Sequence, residues 1–151
     1  MDDFDFLTGT WDVVNRRRVK PLAGSDEWEE FPGRSVATRH FGGAASFDEI
    51  TFPTKGWHGL TVRLYDPETR QWSIYWGSSR TGRLDTRPMV GGFEGDRGEF
   101  FGEETHEGSP VRCRFLWTAG DGDTARWEQA YSADEGQTWE TNWTMDFTRI
   151  S

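Results

Sequence analysis

The chain has 151 residues, 34% hydrophobic and 15% aromatic, with nine Trp, eleven Phe and a formal charge of −9. Such a length buries roughly 70% of its unfolded surface in one core, which fits a single domain over residues 1–151, and the aromatic load excludes a disordered chain. The acidic balance repels polyanions, so neither nucleic acid nor an anionic membrane is an expected partner.

The opening residues, Met1 to Phe6, carry no basic segment followed by an apolar run. No secretory signal is therefore expected, and a cytoplasmic location follows. No apolar stretch approaches the ~18 residues of a membrane span. From residue 9 onward, short alternating runs rich in Trp, Phe, Tyr, Val and Thr recur between Gly, Pro and Asp turns. They predict about ten strands, near 9–20, 26–41, 45–52, 58–66, 71–79, 87–94, 97–105, 110–119, 124–132 and 138–149. The second bends at Pro32-Gly33.

Alternation assigns the faces. The first strand places Trp11, Val13, Asn15 and Arg17 inward, and the basic run Arg16–Lys20 divides between the two faces. Asp48 and Glu49 point to opposite sides, so they form no acid/base dyad, and Glu49 shares parity with Phe47 toward the inside. Leu60, Val62 and Leu64 share a face with His58 and read as interior. Arg63 and Tyr65 then lie outside, or inside if that parity is inverted; Ser73 and Tyr75 carry the same alternative. Trp72, Ile74 and Trp76 face inward, as do Val111, Cys113, Phe115 and Trp117. Cys113 is the only cysteine, which excludes an internal disulfide, and it reads as a buried thiol rather than a nucleophile. Trp127, Gln129 and Tyr131 face inward on the next run. The last strand sets Trp139, Thr141, Trp143, Met145, Phe147 and Arg149 inside against Glu140, Asn142, Thr144, Asp146 and Thr148 outside. Short links such as Asp66-Pro67-Glu68-Thr69 favour pairing in chain order. The fold expected is all-β, an antiparallel up-and-down arrangement with no internal repeat.

Two motifs stand out. Gly9-Thr10-Trp11 opens the first strand and Arg149 lies near the end of the last, which resembles the calycin pattern of a strand-one Gly-x-Trp crossed by a late Arg. A guanidinium over that indole is worth about 0.5–2 kcal/mol and clasps the first strand to the last. The wider set, Phe6-Leu7 with Gly9-Thr10-Trp11, Arg63 to Pro67, Gln71 to Trp76 and Arg126 to Ala130, resembles a family of uncharacterised bacterial lipocalin-like proteins. That resemblance implies a single lipocalin-like barrel and supplies no agreed activity. Ser132-Ala133-Asp134-Glu135-Gly136-Gln137-Thr138-Trp139 is similar to the Asp-box of sialidases and other β proteins. It predicts a hairpin in which Asp134 accepts turn amides, Gly136 takes positive φ and Trp139 packs beneath. It does not predict sialidase activity, since that fold repeats the box around a much longer propeller.

Function rests on the polar groups interleaved with the inner aromatics. Asn15, Arg17, Gln129 and Tyr131 are placed to orient a small apolar or aromatic molecule stacked on Trp76, Trp127 and Trp143. One alternative is a cofactor-free isomerase or cyclase in the same cavity, with His58, Glu49 or Tyr131 as acid/base groups. Another is a barrel filled by its own side chains, with its outer face used for interaction; a homodimer is left open. No cofactor or metal is expected, because His40, His58 and His106 are isolated in sequence. Haem, the cofactor alternative for such a barrel, could be held only by His58 or His40.

Overall fold

A computed structural model describes residues 2–151. Eleven strands follow in chain order: β1 (Gly9–Arg18), β2 (Trp28–His40), β3 (Ala45–Phe52), β4 (Trp57–Asp66), β5 (Gln71–Ser78), β6 (Arg83–Leu84), β7 (Met89–Glu94), β8 (Arg97–His106), β9 (Ser109–Ala119), β10 (Thr124–Ser132) and β11 (Glu140–Arg149). β6 is a two-residue addition to β5, too short a run to carry a pattern in the sequence. The other ten pair antiparallel in a ring, β1 to β5, then β7 to β11, with β11 returning to β1. This is the closed up-and-down barrel that the calycin-like Trp11 and Arg149 pattern implies, with the chain-order pairing that the short turns favour. Closure gives every long strand a neighbour on both sides, which covers most of the edge an open sheet would expose.

One end of the barrel is stoppered by the chain's own beginning. A 3-10 turn at Asp5–Leu7 crosses it, with Phe4 and Leu7 buried. The Phe4 ring meets Trp72 edge-on at 4.9 Å and Phe93 at 5.0 Å. Trp11 Nε1 donates to the Leu7 carbonyl at 2.8 Å, and Trp72 Nε1 donates to Asp3 Oδ2 at 2.8 Å. Each indole therefore fills the core while its one donor is satisfied at the plug.

Trp11 and Arg149 are Cα partners across β1 and β11, and the guanidinium carbon sits 4.2 Å from the ring centroid. Opposite this end, the Ser132–Trp139 hairpin turns on Asp134. Its carboxylate accepts from the Ser132 hydroxyl at 2.7 Å, the Thr138 amide at 2.9 Å and the Thr138 hydroxyl at 2.6 Å. Gly136, at φ 92°, donates its N–H to Ser132 Oγ at 2.8 Å.

The inner face of β4 is the reverse of the one its apolar residues suggest. Leu60 and Leu64 are exposed at 44% and 38%, whereas Thr61 and Arg63 are buried. Register explains it. Thr61 lies opposite Trp76, Arg63 opposite Ile74 and Tyr65 opposite Trp72, and residues directly opposite share a face. Once the β5 aromatics turn inward, Thr61, Arg63 and Tyr65 must do so too. The same logic continues into β3, where Asp48 pairs with Thr61 and faces in, leaving Phe47 and Glu49 outside.

The last strand departs from simple alternation at a β-bulge. Gln129 pairs with Trp143 but Ala130 pairs with Thr141, so Asn142 is an extra residue. Trp143, Met145 and Phe147 face inward as expected, and Asn142 joins them in burial. Before the bulge the parity inverts. Trp139 lies on the outer wall, 5.9 Å from the Phe101 ring and under the Arg114 guanidinium at 4.8 Å. Thr141 shares that outward parity, while Glu140 turns to the rim and accepts the Leu22 amide at 2.6 Å.

Candidate functional site

Between the plug and the opposite rim the barrel encloses a cavity of about 100 Å³. A buried water needs roughly 10–15 Å³ on this measure, so the space exceeds a single solvent site. Its walls carry Trp76 from β5, Phe115 from β9, Trp127 from β10 and Trp143 from β11. The rings meet nearly at right angles, Trp127 with Trp143 at 5.6 Å and 80°, and Phe115 with Trp127 at 5.1 Å and 70°. Crossed planes present two aromatic faces to one volume. Gly59 permits this on the β4 side, because a Cβ there would lie 2.0 Å from the Trp76 indole.

Trp143 is positioned by two of the residues singled out in β1. Its Nε1 donates to Asn15 Oδ1 at 3.1 Å, and Asn15, fully buried, donates Nδ2 to the Phe31 carbonyl at 3.2 Å. Arg17 lies over the same ring, its guanidinium carbon 4.9 Å from the centroid. Asn15 and Arg17 thus stand behind Trp143 and do not line the cavity themselves. Gln129 does line it, and donates Nε2 to Asn142 Oδ1 at 2.9 Å. Tyr131 lies off the cavity, beside His106 and opposite Cys113 in the β9–β10 register. Of the seven proposed ligand contacts, the structure brings Trp76, Trp127, Gln129 and Trp143 to one space.

The cavity floor holds charge that the sequence reading did not assign to a site. Arg63 and Asp48 form a buried ion pair, and Arg63 Nη1 donates to Ser46 Oγ at 3.2 Å. The guanidinium is stacked between the plug and the cavity wall, 4.9 Å from Phe4 and 5.5 Å from Trp117. Strand register reveals this pair, because Arg63 sits on a segment whose leucines point the other way, while Asp48 shares the inner face of β3 with Ile50 and Phe52.

The wall opens on one side. β7 pairs with β5 only over Trp72–Ile74, and its pairing with β8 stops at Phe101. From Gly102 to His106, β8 has a strand partner on its β9 side alone. The gap is spanned by the segment after β6, where the Asp85 amide donates to the Trp76 carbonyl at 2.8 Å. Asp85 and Glu104, both exposed, complete the cavity lining there. Partial burial and the neighbouring Glu104 charge hold the Asp85 carboxyl above the usual carboxylate range.

None of the three acid/base candidates lines the cavity. His58 and Glu49 do come together, with His58 Nδ1 3.7 Å from Glu49 Oε2 and 3.1 Å from Thr51 Oγ1, but on the outer wall. The cause is the β3 and β4 parity described above. Tyr131 faces inward, yet burial pushes its hydroxyl well above the usual phenol range, so it resists acting as a base. Burial, with Glu104 and Asp85 nearby, likewise pushes the Cys113 thiol up, which removes its thiolate character at neutral pH. His40 is exposed and packs on the Phe47 ring at 4.6 Å. Neither His40 nor His58 can reach a molecule inside the barrel.

Compared with known proteins, the chain matches no protein-family model and no curated protein.

Proposed function

We propose that the protein is a lipocalin-like binding module that holds one small apolar or aromatic molecule inside its barrel. The observation that carries this reading is the cavity itself, with Trp76, Trp127 and Trp143 on its walls and an opening beside Asp85 and Glu104. Aromatic walls with a few fixed polar groups are the usual make-up of a small-molecule site. Placement in a lipocalin-like family is supported by the closed meander, the Trp11–Arg149 clasp and the terminal plug. The Ser132–Trp139 segment serves in this reading as an Asp-box-like hairpin brace, remote from the cavity.

The test is a titration of the purified protein with small aromatic compounds of differing charge, followed by tryptophan fluorescence and native mass spectrometry. Saturable quenching with one-to-one stoichiometry is expected, weakened strongly by Trp127→Ala. If no compound in such a set produces a saturable change, the barrel is a filled scaffold and the reading fails.

A further inference from the structure

Resting on that reading, we infer that the molecule held in the cavity is an organic cation, an ammonium group carried on a small apolar or aromatic body. Four charged side chains line the space: Asp48, Arg63, Asp85 and Glu104. Arg63 is committed to Asp48 in the buried pair, so these two cancel. Asp85 and Glu104 are left as two carboxylates at the opening. Among the described residues neither has a cationic partner within ion-pair distance, while the nearby Arg87 goes to Glu103 at 3.6 Å. Like charges facing one opening repel, and a cation placed between them relieves that repulsion.

The walls favour the same sign. Indole faces attract cations through the ring quadrupole, most strongly where water is excluded. Trp143 already accepts one, since Arg17 lies on it at 4.9 Å from the side behind the cavity. The engagement of Arg17 with Trp143 keeps this guanidinium out of the cavity lining. An anion would meet two carboxylates at the opening and a guanidinium already neutralised at the floor. A neutral molecule would gain the aromatic walls but leave Asp85 and Glu104 uncompensated. The geometry therefore sets the apolar body among the tryptophans and the charged end toward the opening.

Benzylammonium, benzyl alcohol and benzoate share one ring and differ in charge, so their affinities for the full-length protein at low ionic strength isolate the effect. Benzylammonium is expected to bind about tenfold more tightly than benzyl alcohol, with benzoate weakest. The double variant Asp85→Asn/Glu104→Gln is expected to abolish most of the tenfold preference, so that cation and alcohol bind the variant with similar affinity. If benzyl alcohol or benzoate binds as well as the cation, the cation inference is overturned and the binding-module reading stands. A preference that survives in the double variant overturns the role given to these two carboxylates. Failure of all three compounds to bind removes both readings together.

Discussion

Arg149 spans the first and last strands of the barrel: its guanidinium lies 4.2 Å over the Trp11 ring while Nη1 and Nη2 donate to the carbonyls of Thr8 and Phe6 at 2.6 and 3.0 Å. Nε reaches a third segment, the Gly122 carbonyl, at 2.9 Å. One side chain thus fixes the plug, the closing strand pair and the β9–β10 turn. Gly9, at φ 130°, lies where a Cβ would come 2.5 Å from Arg149 Nη1, so the Gly-x-Trp spacing leaves room for the fork.

Arg149→Ala should therefore lower stability by about 2–3 kcal/mol, combining the lost cation–π contact with carbonyls left without a charged donor. Arg149→Lys should recover less than half, because an ammonium cannot donate in three directions from one plane. Thermal and urea unfolding of the two variants would show it; equal stability of both with the parent chain would deny the clasp any energetic role.

The buried pair makes a sharper contrast. Removing one partner leaves an uncompensated charge, so Asp48→Asn should cost about 3–5 kcal/mol. Replacing both, as Asp48→Leu with Arg63→Met, should cost much less, since apolar groups of similar volume need no compensation. A double-mutant cycle by urea denaturation measures the coupling. A double replacement as damaging as the single one would mean the pair is needed for more than its own neutrality.

Asp134 sets an acid-side limit on the rim hairpin. Hydrogen bonds from Thr138 and Ser132 hold its pKa at about 2, below the ordinary value of 3.8. A depressed native pKa means the unfolded chain binds the proton more readily, so stability rises with pH across this window. The contribution is complete above pH 4 and is lost as the pH falls toward 2. Asp134→Asn should abolish that portion of the pH dependence. Unfolding curves of the two proteins between pH 2 and pH 5 should converge at the acid end, and parallel curves would contradict this.

Gly59→Ala tests the architecture of the cavity. The added methyl would lie 2.0 Å from Trp76, so the indole must move toward the enclosed space. Overpacking of this kind costs about 1–3 kcal/mol. Aromatic compounds should bind the variant weakly even where it remains folded, as circular dichroism would confirm. Unchanged affinity would show that Trp76 does not shape the bound state.

How much of this was written in the sequence depends on whether a feature is local. Alternation, turn chemistry and the placement of Trp11 and Arg149 are properties of single segments or of the chain's two ends. They dictated the ten long strands, their order, the closure and the Asp134 hairpin. The wall residues Trp76, Trp127, Gln129 and Trp143 were legible for the same reason, since each lies on a strand whose apolar face is the inner one.

Tertiary structure decided what pairing between strands controls. In β4 the apolar residues Leu60 and Leu64 point outward and the charged Arg63 inward, because facing positions on β5 impose their side and Asp48 on β3 neutralises the guanidinium. Burial of a charge depends on a partner 15 residues away, and no local periodicity carries that information. The bulge at Asn142 is of the same kind: a single extra residue exchanges the faces of Trp139 and Asn142 without altering the composition of the strand. The cavity opening exists because β7 is shorter than its neighbours, which sets Asp85 beside Glu104. The residues of the barrel wall thus belong to the sequence, while the charged floor and mouth arise only where strands of different lengths and parities meet.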